Sequence, residues 1–194
     1  MALGAAPVLA SVPVLLSRMR RDLQREGRLR TGTAAWMWAD YGAYTALVAI
    51  TLTTRPFGAP LPLPVRAAAV ALTGAGSLLV LAGARRFAGP AQLSGTAAGT
   101  LVTGGAYRCS RNPQYTGLLA ALAGAAITRR SPTALALVGG LAVVYAAWVP
   151  AEEAHLARHF GRPYVRYRDA TPRWVGLRAP AEVAGPTRPS GEQA

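Results

Sequence analysis

Two adjacent carboxylates, Glu152 and Glu153, stand where an apolar stretch of the sequence gives way to a polar one. Neighbouring like charges at such a boundary repel each other, so a compensating positive charge is needed. The usual helical partner is a basic residue four positions further on, but Leu156 and Ala157 occupy those positions. The pair therefore requires a cation from elsewhere, either a side chain of the segment 85–112 or a bound cationic ligand.

A second group of residues has the chemistry to bind an anion. In R-C-S-R-N-P-Q-Y (108–115), Asn112 is a good N-cap and Pro113 a good first helical residue, so we predict a helix that begins at Pro113. Its free N–H groups and positive dipole end then lie beside Arg111. The Gly104–Gly105 pair allows the backbone to approach a ligand closely. An acidic and a basic cluster together suit a zwitterion that carries an additional positive charge.

Plainer explanations for both clusters stay open. The acids also fit a structural ion pair, and the arginines also fit anchors at a membrane surface. His155 and His159 are spaced to share one helix face, but the chain has only two histidines and one cysteine, so we predict no metal site.

The elements that must position these residues are long apolar runs. Hydrophobic residues make up 52% of the 194 residues and charged residues only 15%, against about 25% in a typical soluble domain. We therefore predict an all-α, polytopic integral membrane protein. Four to five transmembrane helices are expected, including a helical hairpin, with a cytoplasmic helix at the C-terminal end. The predicted spans are 35–54, 63–84, 113–128 and 133–150, with 2–17 as a short fifth span or an interfacial segment.

The last of these runs is expected to continue as a helix through Pro150 and to stop at Gly161. Gly74 and Gly76 suit close packing between helices. Asp40 lies within the second run, either near the membrane interface or facing a cavity. By domains, we predict an N-terminal apolar segment and basic connector over 1–34, a transmembrane domain over 35–174 and a disordered tail over 175–194.

Arginine placement predicts the orientation in the membrane. The net charge is +13, yet all 21 basic residues are arginines in loops that flank apolar runs, which disfavours a nucleic-acid partner. Six lie in 18–30, four in 85–111 and seven after residue 157, which predicts that these segments lie on the cytoplasmic side. We expect the membrane to be a bacterial plasma membrane. The two candidate clusters therefore share one face.

Two motifs give the sequence a family resemblance. The runs are G-x-Y-R-x-x-R-N-P-x-Y-x-G (105–117) and, after the hairpin, E-E-x-x-L-x-x-x-F-G-x-x-Y-x-x-Y-x-x-x-x-P-R (152–173). They resemble the signature of the isoprenylcysteine carboxyl methyltransferase and phospholipid methyltransferase family. Many members carry histidine where this chain has Asn112, which can cap and hydrogen-bond but cannot titrate.

The resemblance implies an enzyme that transfers a methyl group from S-adenosylmethionine. Glu152 and Glu153 would hold the amino or ribose groups of this donor, and Arg111 with the helix start at Pro113 would hold its carboxylate. Arg173 would orient the acceptor, so Arg173 and Glu153 are the predicted catalytic residues. The full set predicted to bind the donor is Gly105, Tyr107, Arg111, Asn112, Pro113, Tyr115, Glu152 and Glu153.

The acceptor is left open by the sequence. A lipid-like molecule or a small compound bearing a thiol, carboxylate or amine would each serve, with membrane lipids as the surroundings. Two other functions are also weighed: a membrane reductase that uses NADPH, and a non-catalytic membrane protein that binds lipid or a partner. The sequence does not determine the oligomeric state.

Overall fold

A computed structural model describes residues 2–54, 56–97 and 99–176, and within these ranges the regular secondary structure is helical. This agrees with the predicted all-α class. The helices are α1 (Ala2–Arg25), α2 (Thr31–Thr53), α3 (Leu63–Ala84), α4 (Pro90–Leu93), α5 (Pro113–Thr128), α6 (Pro132–Phe160) and α7 (Arg162–Ala170), with a 3-10 turn at Gly105–Arg108 before α5.

Two of the helices in the described part of the chain, α3 and α6, are long and apolar enough to cross a membrane. Four to five spans were expected, and the higher number stays a prediction. The arm α5 has 16 residues and is therefore roughly 24 Å long, which is short for a complete span.

The N-terminal region differs from the expectation. We expected an apolar segment over 2–17 and a separate basic connector over 18–30, but α1 runs unbroken across that boundary. The reason is a buried stripe at four-residue spacing, formed by Leu15, Met19 and Leu23, which packs on one side of α1. Because the stripe crosses the expected boundary, burial favours a single helix.

Helices α3 and α5 pack closely through glycines. A Cβ atom at Gly117 would lie 2.7 Å from the carbonyl oxygen of Gly76, and one at Gly76 would lie 2.4 Å from the backbone nitrogen of Ala121. The prediction of close packing is thus confirmed for Gly76. It is wrong for Gly74, where a Cβ would have no neighbour within 4 Å, because that residue faces away from α5.

The predicted hairpin is confirmed, with α5 ending at Thr128 and α6 beginning at Pro132. Its turn is fixed to the end of α2: Arg129 donates to the Leu52 carbonyl (2.7 Å) and the Ser131 hydroxyl to the Thr51 carbonyl (3.2 Å). The turn of the hairpin therefore lies beside the C-terminal end of α2.

Helix α6 continues through Pro150 and ends at Phe160, as predicted, with Gly161 at φ +58°. Pro150 lacks an N–H donor, which weakens the preceding turn. In that turn Arg20 of α1 donates to the Ala147 carbonyl (2.6 Å), so α1 braces the helix that carries the paired glutamates.

Candidate active site

Glu153 is the centre of a buried ion cluster. Its side chain is 9% exposed, and Oε1 accepts hydrogen bonds from Nε of Arg111 (3.0 Å) and Nε of Arg173 (3.1 Å). Arg173 reaches the other oxygen through Nη2 at 2.7 Å. Arg111 belongs to the segment 85–112, so this segment supplies the cation that the sequence required for one of the two acids.

The remaining donors of Arg111 are also in use. Nη2 lies 2.9 Å from Glu153, and Nη1 donates to the carbonyl oxygens of Arg168 and Thr171, the latter at 2.8 Å. The Arg111 side chain is 11% exposed. Each of the three nitrogens is therefore engaged within the protein, and these contacts use four of the five N–H groups of the guanidinium.

These contacts hold the segment 168–176, which we call the C-terminal strap, against the residues before α5. The backbone N–H of Arg111 donates to the Pro172 carbonyl (2.9 Å), and the N–H of Gly176 to the Cys109 carbonyl (3.1 Å). Asn112 occupies the N-cap position, but its side chain makes no cap hydrogen bond. Its amide Nδ2 instead donates to the Arg173 carbonyl (3.0 Å), because the strap passes directly beside it.

Glu152 differs from its neighbour in its surroundings. The Tyr115 hydroxyl donates to its Oε2 at 3.1 Å, and no basic side chain of the described residues forms an ion pair with it. The Tyr115 ring stacks on Tyr145 with 4.4 Å between centroids, which fixes the direction of the hydroxyl. Adjacent residues on a helix point about 100° apart, so Glu153 reaches the strap whereas Glu152 reaches Tyr115, and both glutamates border one cavity.

That cavity has a volume of about 420 Å³, within the range of roughly 300–1,000 Å³ usual for small-molecule sites. It is lined by α1, α2, α3, the segment 85–112, α5, α6 and α7. Six of the predicted site residues line it: Tyr107, Arg111, Asn112, Tyr115, Glu152 and Glu153.

Three predicted site residues do not line the cavity. Gly105 has φ +61°, and a Cβ there would lie 2.6 Å from the guanidinium of Arg86, so the close approach at this glycine is to a side chain of the protein. Pro113 is buried at the start of α5, near Gly83 of α3. Arg173 reaches the site through Glu153 and not through the cavity wall.

Three tyrosines line the cavity where α7 meets the 3-10 turn. Tyr107, Tyr164 and Tyr167 are buried together, and the Tyr167 hydroxyl donates to the Tyr107 carbonyl (2.8 Å). Burial raises the pKa of Tyr107 and of Tyr164 well above the usual 10.0, with nearby carboxylates adding to the effect. Both phenols are therefore neutral at physiological pH and act as packing and hydrogen-bonding groups.

Part of the cavity wall was not found from the sequence. Met19 and Leu23 of α1, Met37 and Tyr41 of α2, and Trp148 of α6 all line it. The four-residue spacing of the α1 residues was the available signal, but it indicates a buried face and not which cavity that face borders.

Both histidines also line the cavity, with their rings 5.9 Å apart and nearly parallel. No group of three or more potential metal ligands occurs among the residues that the structure describes.

Comparison with known protein families identifies the class of protein to which this site belongs. A family model described as phospholipid methyltransferase matches residues 65–163, which is just over half of the chain. The chain therefore belongs to this family of membrane methyltransferases. The matched range contains nearly all of α3, all of α5 and α6, and both glutamates, whereas α1, α2 and the C-terminal strap lie outside it. No curated protein and no solved structure matches the chain.

Proposed function

We propose that this protein transfers the methyl group of S-adenosylmethionine to a lipid-like or small acceptor that bears a thiol, carboxylate or amine. The observation that carries the proposal is Glu152, a carboxylate that borders a cavity of about 420 Å³ and has no cationic partner among the described residues. Family membership supports methyl transfer, and it favours this chemistry over a reductase.

The residues around the cavity fit a donor with two positive centres and one carboxylate. When bound, the donor would supply a methyl group on a sulfonium: the acceptor's lone pair would bond to the methyl carbon while the carbon–sulfur bond breaks and leaves its electrons on sulfur. Glu152 would hold the amino or ribose groups, and Tyr115 would keep the carboxylate aimed at them. At the start of α5, the backbone N–H groups of Gln114 and Tyr115 have no acceptor within the helix, so they can receive the donor's carboxylate.

For Arg111, Glu153 and Arg173 the contacts support a positioning role. Both arginines pair with the one negative charge of Glu153, and together the three side chains fix α6 to the strap and to the start of α5. Direct contact of Glu153 and Arg173 with the donor or acceptor remains a prediction from the resemblance. In our proposal the cluster contributes to catalysis by holding Glu152 in place, because correct orientation supplies much of the rate of a displacement reaction.

Contacts at the two ends of the molecule support the proposed orientation in the membrane. Three arginine-rich segments meet at the end that carries the site: 18–30, 85–112 and the C-terminal strap. The backbone N–H of Leu29 donates to the Gly95 carbonyl (2.8 Å), and the strap binds Arg111. The opposite end carries the turn at Arg129 and Arg130. By the positive-inside rule the site end, with more arginines, would face the cytoplasm.

Donor binding to the full-length protein in dodecyl maltoside tests the proposal. We expect wild type to bind S-adenosylmethionine and Glu152→Gln to bind it at least about tenfold more weakly, because a charged hydrogen bond contributes about 1.5–3 kcal/mol. Glutamine keeps the shape of the side chain and an acceptor for Tyr115, so the fold should persist.

Glu26→Gln is the matched control, since Glu26 pairs with Arg30 on the surface and does not line the cavity. It should bind the donor as wild type does. Absence of binding to wild type at millimolar donor would refute the function. Equal binding by Glu152→Gln would refute the placement of the donor.

A further inference from the structure

The turn between α1 and α2 covers part of the large cavity. Its residues alternate in exposure, since Arg28 and Arg30 are exposed whereas Leu29 between them is only 5% exposed. Leu29 and Gly27 line the cavity. One side of the turn therefore faces water, and the other side faces the cavity.

The turn meets the segment 90–97 at a contact between Leu29 and Gly95, which we call the seam. The Leu29 N–H donates to the Gly95 carbonyl at 2.8 Å. Gly95 has φ +71°, and a Cβ there would lie 3.5 Å from Cγ of Leu29, so the leucine side chain rests on the glycine backbone. Among the described residues no ion pair joins the turn to this segment. Few contacts hold the seam, and such regions open locally at low cost.

The base of the turn is fixed more firmly than the seam. Asp22 is buried, its Oδ2 accepts the backbone N–H of Arg30 at 3.2 Å, and its carbonyl oxygen accepts the N–H of Glu26 at 2.8 Å. The Arg30 guanidinium pairs with the Glu26 carboxylate. Leu29 also packs into the buried cluster on α1. These contacts tie the turn to α1, so the weak boundary is the one with the segment 90–97.

The cavity needs an entrance for a polar ligand. S-adenosylmethionine is charged, so it cannot pass through the apolar interior of the bilayer and has to arrive from water. We infer that the seam is a gate: the segment 90–97 separates from the α1–α2 turn to admit the donor and then closes over it. The inference rests on the proposed function. Because α1 and α2 lie outside the range matched by the family model, the gate joins a matched segment to an unmatched one.

Stopped-flow binding of S-adenosylmethionine to the full-length protein in dodecyl maltoside tests the gate. Tryptophan fluorescence gives the signal, because Trp148 lines the cavity. Leu29→Ala removes the side chain that closes the seam. A larger open fraction speeds entry and exit alike, so we expect both rate constants to rise about tenfold and Kd to change less than about twofold. Leu29→Met, which keeps a long apolar side chain, should restore both rates.

Leu78→Ala is the matched control, since Leu78 is 68% exposed on α3 and does not line the cavity. It should bind the donor at wild-type rates. A faster dissociation of the donor from Leu29→Ala with unchanged association would mean that Leu29 only contacts the donor, and this result would overturn the gate. Unchanged rates in Leu29→Ala would overturn it as well. If the alanine variant does not fold, Leu29→Val serves in its place, with a smaller increase expected in both rates.

A second measurement requires no donor. In a Cys109→Ser background, Met37→Cys leaves a single thiol on the cavity wall. Its reaction with a water-soluble trimethylammonium methanethiosulfonate reports access from water, and Leu29→Ala should accelerate it about tenfold. An unchanged labelling rate overturns the inference. Accelerated labelling, with no donor binding by wild type at millimolar concentration, would support the gate and refute the methyl donor.

Discussion

Replacing Glu153 with glutamine tests whether the ion cluster is structural. The change removes the only negative charge that faces Arg111 and Arg173 in the described contacts. Breaking a buried pair by removing one partner costs about 3–5 kcal/mol. Arg173 adds little to this cost, because its side chain is 43% exposed and water can solvate it. Arg111 is 11% exposed and bears most of it.

Two contacts reduce the expected loss. Arg111 keeps its hydrogen bonds to the carbonyls of Arg168 and Thr171, and the glutamine oxygen can still accept one bond. We therefore expect Glu153→Gln to lower the free energy of unfolding by about 2–4 kcal/mol. The measurement is titration with sodium dodecyl sulfate in dodecyl maltoside, followed by far-ultraviolet circular dichroism.

The neighbouring variant Glu152→Gln is the internal control. Glu152 accepts a hydrogen bond from the Tyr115 hydroxyl, which glutamine can keep, so the expected loss is below about 1 kcal/mol. Similar losses in the two variants would refute the division of roles between the glutamates. A loss below about 1 kcal/mol for Glu153→Gln would mean that Glu153 is available to a ligand, as the sequence first predicted.

Two further predictions concern packing and pH. Gly117→Ala should destabilise the protein by about 1–3 kcal/mol, because its Cβ would lie 2.7 Å from the Gly76 carbonyl oxygen. Gly74→Ala is the control and should not destabilise the protein. Equal effects of the two variants in the same detergent titration would contradict the packing of α3 on α5. Burial raises the pKa of Tyr164 above its unfolded value of 10.0, so its contribution to stability is present below pH 10 and is lost above it as the unfolded phenol ionises. Melting temperatures should therefore fall above about pH 10, less steeply in Tyr164→Phe, and an identical slope in that variant would exclude Tyr164 as a cause.

Local signals made the ends of several helices predictable. A proline after a polar residue fixes the beginning of α5. An N–H group at the first helical position has no acceptor within the helix, so Pro113, which lacks this group, loses no hydrogen bond there. Gly161 ends α6 at a positive φ that other residues adopt at a cost. These features depend on neighbours in sequence, which a single chain displays directly.

The identity of tertiary partners could not be obtained in this way. The sequence indicated that the glutamate pair needs a cation and pointed to the segment 85–112. It did not indicate that Arg173 would also form an ion pair with Glu153. Adjacent positions on a helix face different surroundings, so the contrast between Glu152 and Glu153 depends on how α6 is rotated against its neighbours. The same holds for Gly74 and Gly76, of which only the second meets α5.

The C-terminal strap has a consequence for biosynthesis. Glu153 emerges from the ribosome 20 residues ahead of Arg173, so the hairpin forms while this carboxylate has Arg111 as its one basic contact. Synthesis of the strap then supplies the second arginine and the carbonyls that bind Arg111. A nascent chain halted after α6 would contain both glutamates and Arg111 but would lack Arg173 and the carbonyls that anchor Arg111, so the site is completed only when the strap has been synthesised.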